Sequence, residues 1–250
     1  RPYSHFTELL NSVVDRNRHL RGFISGAWSL ATRWRSAEPP ERRMILPLSA
    51  IKAVFGVAVA WGWTDLAVMI LVTFCATARI GEILNLTRQH LLLPHDILCP
   101  EWKAYIAVVA PKTRRMVARQ HATIEEVSVV KILSLFFSHY EPTEKLFKIS
   151  EYKLRRGWAK IMVFLKLTDG SGRPVATPNC LRGSAATWYF QQCGDLTRLC
   201  WRGRWNSLKV LEHYLQEVAS FNALAATTLA ARKKILLLAG LADELISLLS

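Results

Sequence analysis

The spacing of apolar and polar positions changes several times along this 250-residue chain, and the changes divide it into blocks. Residues 3–36 carry apolar side chains at helical spacing and end in AWSLATRWRS. AEPPERR follows, and its two prolines and charges predict a linker over 37–43. PLSAIKAVFGVAVAWGW restarts the helical pattern with Ser49 as the expected N-cap. Thr64 or Asp65 is placed to cap a further helix that reaches about Leu86. Residues 53–80 are apolar enough to suggest a membrane span. The WGWTD turn signal, which carries Asp65, divides them into two runs, each shorter than the about 20 residues a span requires, so two buried helices are expected.

The texture then changes. HLLLPHDILCP, KAYIAVVAPKTRR and RQHATIEE are short, alternating or β-branched segments separated by proline and charge, which predict a small antiparallel sheet. From Val127 the helical period returns in VSVVKILSLFFSHY, and again in SEYKLRRGWAKIMVFLKL, opened by Ser150 and closed by the turn TDGSGRP. Helices are expected from about Pro178 to Gln192, from Asp195, and from Asn206 to Glu217. Two more are expected at roughly 220–238 and 241–249, divided at Gly240. No internal repeat is present, which argues against a solenoid. The expected fold class is mainly α with a small antiparallel β-sheet (α+β), with residues 44–250 as the main domain and 1–36 as the end of another helical unit.

Composition narrows the partners. The 33 Lys and Arg against 19 Asp and Glu leave a formal charge of +14, which favours polyanions: nucleic acid first, an anionic membrane surface second. Cys75, Cys99, Cys180, Cys193 and Cys200 are odd in number and lack CxxC spacing. Neither a disulfide framework nor a zinc site is expected, and an intracellular, reducing compartment is. The chain opens inside helix-like sequence, RPYSHFTELL, which reads as the continuation of a longer polypeptide that carries any targeting segment.

Several residues carry candidate chemistry. ATARIGEILNLTRQHL places Arg79 at the end of a helical signal with Glu82 three residues on, on the same face. APKTRR puts Lys112 at the tip of a predicted hairpin. NCLRGSAATWYF supplies Asn179 and Arg182, and GRWNSLKVLEHY supplies Trp205 and, nine residues on, Tyr214. Singly, most have ordinary explanations: a surface i,i+3 ion pair, a hairpin cation on a backbone phosphate, a half-buried tyrosine. Arg182 beside so apolar a run is harder to explain, because a buried guanidinium needs partners. Trp188 and Tyr189 are assigned to the core and Trp201 to a partly buried position.

Taken in order, these landmarks resemble the tyrosine recombinase, or phage integrase, family over roughly residues 40–220. The family's motifs are an R-x-x-E-like helix, a hairpin lysine, an H-x-x-R box, a G-H/W box and a tyrosine about nine residues beyond. The GRW form is similar to transposon-derived eukaryotic members. The resemblance implies that residues 1–36 end a helical core-binding domain and that the rest is catalytic. It implies that Arg79 and Arg182 hold the non-bridging oxygens of a DNA phosphodiester, and that Tyr214 attacks phosphorus to give a 3′-phosphotyrosyl intermediate. Lys112 would protonate the departing 5′ oxygen, Trp205 would donate its indole N–H to the phosphate, and Glu82 would orient the neighbouring helices. Arg114, Arg115, Arg198, Arg202 and Arg204 would contact DNA, with no metal or nucleotide cofactor. The implied partners are double-stranded DNA and further copies of the chain in a synaptic tetramer, with no membrane, in the nucleus if the source is eukaryotic.

One position departs from the family pattern. Asn179 stands where the family has His, and an amide donates a hydrogen bond but exchanges no proton near neutral pH. His213 is no substitute, since neighbouring residues on a helix point apart. Three functions therefore stand side by side: a DNA-cleaving and rejoining enzyme, a DNA-binding relative that has lost its chemistry, and an unrelated helical protein whose charge meets lipid. The last segment, LADELISLLS, suits docking on a neighbouring protomer or packing on its own domain.

Overall fold

The computed structural model describes residues 2–38, 44–98, 101–109 and 121–249. They form two compact units, one on each side of residues 39–43. In the first, α1 (Pro2–Arg16) and α2 (Ser25–Ala37) are joined by a short 3-10 turn. Trp34 of α2 packs against Tyr3 and Phe6 of α1, with ring centroids 6.1 and 5.7 Å apart.

The second unit is built on α3 (Leu48–Ala60) and α4 (Thr64–Cys75), most of whose residues are buried. A helix apolar on every side belongs inside a core, and among the described residues no helix is long and apolar enough to cross a membrane. α3 starts at Leu48 with Pro47 as its N-cap, so Ser49 lies in the first turn rather than capping it. The Pro47 carbonyl accepts the amides of Ala50 and Ile51 at 3.0 and 3.2 Å. α4 likewise starts at Thr64 with Trp63 as N-cap, and Asp65 accepts the Lys148 amide at 3.0 Å instead of capping.

The expected continuation of α4 to Leu86 does not occur. The helix ends at Cys75, Thr77 takes φ +49°, and a separate α5 (Ile80–Leu84) begins with Arg79 as its extended N-cap. The sheet follows: β1 (Leu91–Leu92), β2 (Ala104–Ala107) and β3 (His121–Ile124) pair antiparallel in that order, with Leu91 opposite Ile106 and Ala104 opposite Ile124. Its buried side chains Leu91, Ala104, Ile106, Ala122 and Ile124 join the main core.

α6 (Val127–Phe137) and α7 (Glu151–Phe164) follow, and Ser150 caps α7 by accepting the Lys153 amide at 3.3 Å. The buried indole of Trp158 donates to the Ala176 carbonyl at 2.8 Å, fixing the approach to α8 (Cys180–Cys193). α9 (Leu196–Gly203) is capped by Asp195, as its sequence predicts.

The single helix expected over 206–217 is instead α10 (Leu208–Glu212), a turn holding Tyr214, and the start of α11 (Glu217–Ala225). Tyr214 thus lies outside a helix. The break expected at Gly240 falls at 226–228: α12 (Leu229–Leu249) runs straight through the glycine, and the Thr228 hydroxyl accepts the Ala231 amide at 3.2 Å. α12 packs on its own domain. A Cβ at Gly56 of α3 would meet the Leu238 carbonyl at 3.2 Å, and Lys52 pairs with Asp243 at 2.7 Å.

Candidate active site

The turn after α4 delivers two groups together. Glu82, in the first turn of α5, accepts the Arg79 amide on Oε2 at 3.0 Å and the Arg79 guanidinium on Oε1 at 2.8 Å. The side chain that closes the start of the helix therefore also aims Arg79. Arg182 enters from the first turn of α8 and is 3% exposed; its Nη2 donates to the Gly203 carbonyl at 2.5 Å. Its guanidinium lies over the Trp205 ring at 4.7 Å and faces Tyr214 at 5.7 Å, and the two rings are 5.1 Å apart.

The segment after α9 explains why glycine and an unusual backbone occur there. A Cβ on Gly203 would fall 1.6 Å from the Trp205 ring, so only glycine lets the indole fold back over Arg182. Arg204 takes φ +58°, a left-handed conformation that is costly for a residue with a Cβ. This turns its guanidinium inward to donate to Glu82 Oε2 at 2.7 Å. Thr187 of α8 fixes the next turn, donating to the Tyr214 carbonyl at 3.1 Å and accepting the Gln216 amide at 3.2 Å.

Three guanidiniums, of Arg79, Arg182 and Arg204, thus surround one carboxylate, leaving a local excess of two positive charges (3 − 1). Arg182 Nη1 approaches Glu82 Oε2 only to 3.9 Å, within reach of an ion pair but beyond a hydrogen bond. Among the described residues five buried side-chain polar atoms lack a partner. Four of them are here: Arg182 Nε and Nη1, Arg204 Nε and Trp205 Nε1. Such groups are costly to bury unsatisfied. The other buried arginines leave none. Arg88 donates to the Phe137 and Leu91 carbonyls and to Asp96 at 2.6–2.8 Å, and Arg202 to Glu125, Glu126 and the Cys75 carbonyl at 2.6–3.1 Å.

The electrostatics follow this geometry. Burial, then the like charges of Arg79 and Arg204, pull the Arg182 guanidinium down to about 10 against the opposing pull of Glu82 and Tyr214. It stays charged at neutral pH. Burial pushes Glu82 up, but Arg204, the Arg79 amide and Arg182 outweigh it and hold the carboxyl below its ordinary 4.5.

The structure brings together Arg79, Glu82, Arg182, Trp205 and Tyr214. Asn179 is the half-buried N-cap of α8, one helical turn before Arg182. Lys112, Arg114 and Arg115 lie outside the described residues. Of the arginines expected on an outer DNA-facing surface, Arg198 is exposed, but Arg202 is 7% exposed and bound to two glutamates, and Arg204 belongs to the interior cluster. Trp201, expected to be partly buried, is 64% exposed, and His213 is exposed. Sequence reasoning missed the inward turn of Arg204, for which the only signal was its place between Gly203 and Trp205. It also missed a cavity of about 580 Å³ at the far end of α4, where Lys153, Arg156 and Lys160 of α7 line a pocket with Trp63 and Asp65. Among the described residues no group of three His, Cys, Asp or Glu side chains is placed to hold a metal ion.

A helical α+β domain with a buried, cationic, donor-rich site beside a tyrosine is the class that fold and site define. No protein-family model and no curated protein sequence matches the chain. Among solved structures, the crystal structure of XerA recombinase is similar with a TM-score of 0.48 and 16% identity, over 89% of this chain and 82% of that one.

Proposed function

We propose that the chain is the catalytic part of a tyrosine recombinase, which cleaves and rejoins DNA through a covalent 3′-phosphotyrosyl intermediate. The observation that carries this reading is the set of four unpartnered buried donors on Arg182, Arg204 and Trp205, packed against Tyr214 in a site with two surplus positive charges. Buried donors without partners suit a guest that brings acceptor oxygens and negative charge, and a phosphodiester brings both.

In this reading Arg79 and Arg182 hold the non-bridging oxygens, and the indole N–H of Trp205 donates to one of them. The Tyr214 oxygen, its phenolic proton passing to solvent water, attacks phosphorus as the bond from phosphorus to the 5′ oxygen breaks. Lys112 gives that oxygen its proton. Attack by a 5′ hydroxyl on the phosphotyrosine reverses the step and rejoins a strand. Arg114, Arg115 and Arg198 contact the DNA backbone. A role for residues 1–36 as the end of a DNA-embracing domain, assembly on DNA, a nuclear location and a mobile-element origin belong to the same reading.

The test is a DNA substrate nicked beside the cleavage point, drawn from the element's own ends or from genomic fragments, so that the released 5′ piece diffuses away. A protein–DNA adduct that survives denaturation and is absent in Tyr214→Phe is the expected result. DNA binding without an adduct would contradict it. Asn179 favours a second reading, a DNA-binding relative without chemistry, because its amide takes no proton from the phenol. Adduct formation restored only in Asn179→His would select that second reading.

A further inference from the structure

We infer that Arg204 is a positioning residue of this site: by occupying Glu82 it leaves Arg182 free for an incoming phosphate, an inference that rests on the phosphate site proposed above. Each oxygen of a carboxylate offers about two acceptor positions. Oε2 of Glu82 spends both, one on the Arg79 amide at 3.0 Å and one on Arg204 Nη2 at 2.7 Å. Arg182 Nη1 stands 3.9 Å from that same oxygen and has no hydrogen-bond partner, nor has its Nε.

Without Arg204, one acceptor position on Glu82 falls vacant next to an unsatisfied, buried donor of opposite charge. Arg182 needs to close little more than 1 Å to make a charge-assisted bond there. The site would then offer a phosphate two donors fewer, Arg204 Nε and the recaptured Arg182 Nη1, and one surplus charge rather than two. The backbone supports a role beyond filling space. Arg204 holds a left-handed conformation despite its Cβ, is 6% exposed, and reaches across 122 residues of sequence to bond Glu82. Strain of this kind persists where the surroundings enforce it, and it collects at functional sites.

Glycine accepts φ near +60° without penalty, so Arg204→Gly removes the side chain while relaxing the backbone. Arg204→Asn, whose residue type also tolerates this region, serves as a second variant. The probe is inorganic phosphate, titrated into the full chain and followed at the Arg182 Nε–Hε resonance by NMR, with thermal melts as the check on folding. Wild type is expected to bind and shift this resonance, and Arg204→Gly to weaken binding about 10- to 100-fold, the range of one charge-assisted bond. Adding Glu82→Gln to Arg204→Gly keeps an amide oxygen for the Arg79 amide but removes the charge that captures Arg182, and should recover the share of the loss that Arg182 Nη1 carries. Unchanged affinity in Arg204→Gly and in Arg204→Asn would overturn the inference. So would a loss that Glu82→Gln fails to rescue, since Arg204 would then act for itself. If wild type showed no phosphate response at Arg182, the phosphate site would fall, and the inference with it.

Discussion

Arg182→Met separates a residue kept for function from one kept for stability. The wild-type guanidinium is 3% exposed and has one hydrogen bond, to the Gly203 carbonyl, with Nε and Nη1 unpartnered. Each unsatisfied buried donor costs about 1–3 kcal/mol, whereas the charged hydrogen bond contributes about 1.5–3 kcal/mol. Met is of similar length, and Glu82 keeps Arg79 and Arg204 as partners. Exchanging buried charge for a packed apolar chain is often neutral or stabilising. The free protein should therefore be unchanged or more stable by up to about 2 kcal/mol, which for a chain of this size raises Tm by up to about 8 °C. Phosphate should act on only one of the two proteins. At 100 times its Kd it should stabilise wild type by about 2.7 kcal/mol, or about 5–11 °C, and leave Arg182→Met unmoved. Scanning calorimetry with and without inorganic phosphate reads both effects. A variant that loses about 3–5 kcal/mol and keeps the phosphate shift would show that Arg182 is structural, as Arg202 is, and would refute the reasoning.

Gly203→Ala should expel Trp205 from its seat, because the new Cβ would fall 1.6 Å from the ring. Thermal melts should show a loss of about 1–3 kcal/mol or more, and the phosphate-induced shift should vanish. Arg202→Met should cost about 2–3 kcal/mol in urea unfolding, since it strips the Cys75 carbonyl and two partly exposed glutamates of their donor. Arg198→Ala should change stability by less than about 0.5 kcal/mol, while reducing the salt dependence of DNA binding by about one ion. Glu82, held below its ordinary 4.5 when folded, takes up protons more readily in the unfolded chain. Its contribution is present above pH 4.5 and is lost as pH falls through the lowered value; urea melts at descending pH should show the loss, and Glu82→Gln should remove that component. Gly240→Ala should stabilise α12 by about 0.5–1 kcal/mol by thermal melt, since nothing lies within 4 Å of the added methyl.

How much of this was legible in the sequence depends on how local each feature is. Ser150 opens α7 as read, and the helix expected from Asp195 is α9 with Asp195 as its cap, because an N-cap is decided within four residues. The antiparallel sheet was legible in the pattern of the segments; the expectation that Arg79, Arg182, Trp205 and Tyr214 share a site came from the family resemblance that their order carries. The break after Cys75 was not, since Thr77 carries no turn signal and leaves the helix with a positive φ. Gly240 misled in the other direction: a glycine inside a helix costs only about 1 kcal/mol, and the packing of α12 on α3 outweighs it. Arg202 and Arg204 look alike in CWRGRWNS. Their fates are set by Glu125 and Glu126 on one side and Glu82 on the other, 76 to 122 residues away, and by a backbone angle that composition does not record.

The most direct measurement is to identify the protein atom that DNA acquires. The 250-residue chain would be incubated with the nicked substrate, denatured and digested with protease and nuclease, and the modified peptide sequenced by mass spectrometry. The account predicts a 3′-phosphonucleotide on Tyr214 in the peptide that follows Lys209. A label on another residue, such as Tyr189, or bound DNA with no labelled peptide, would contradict it.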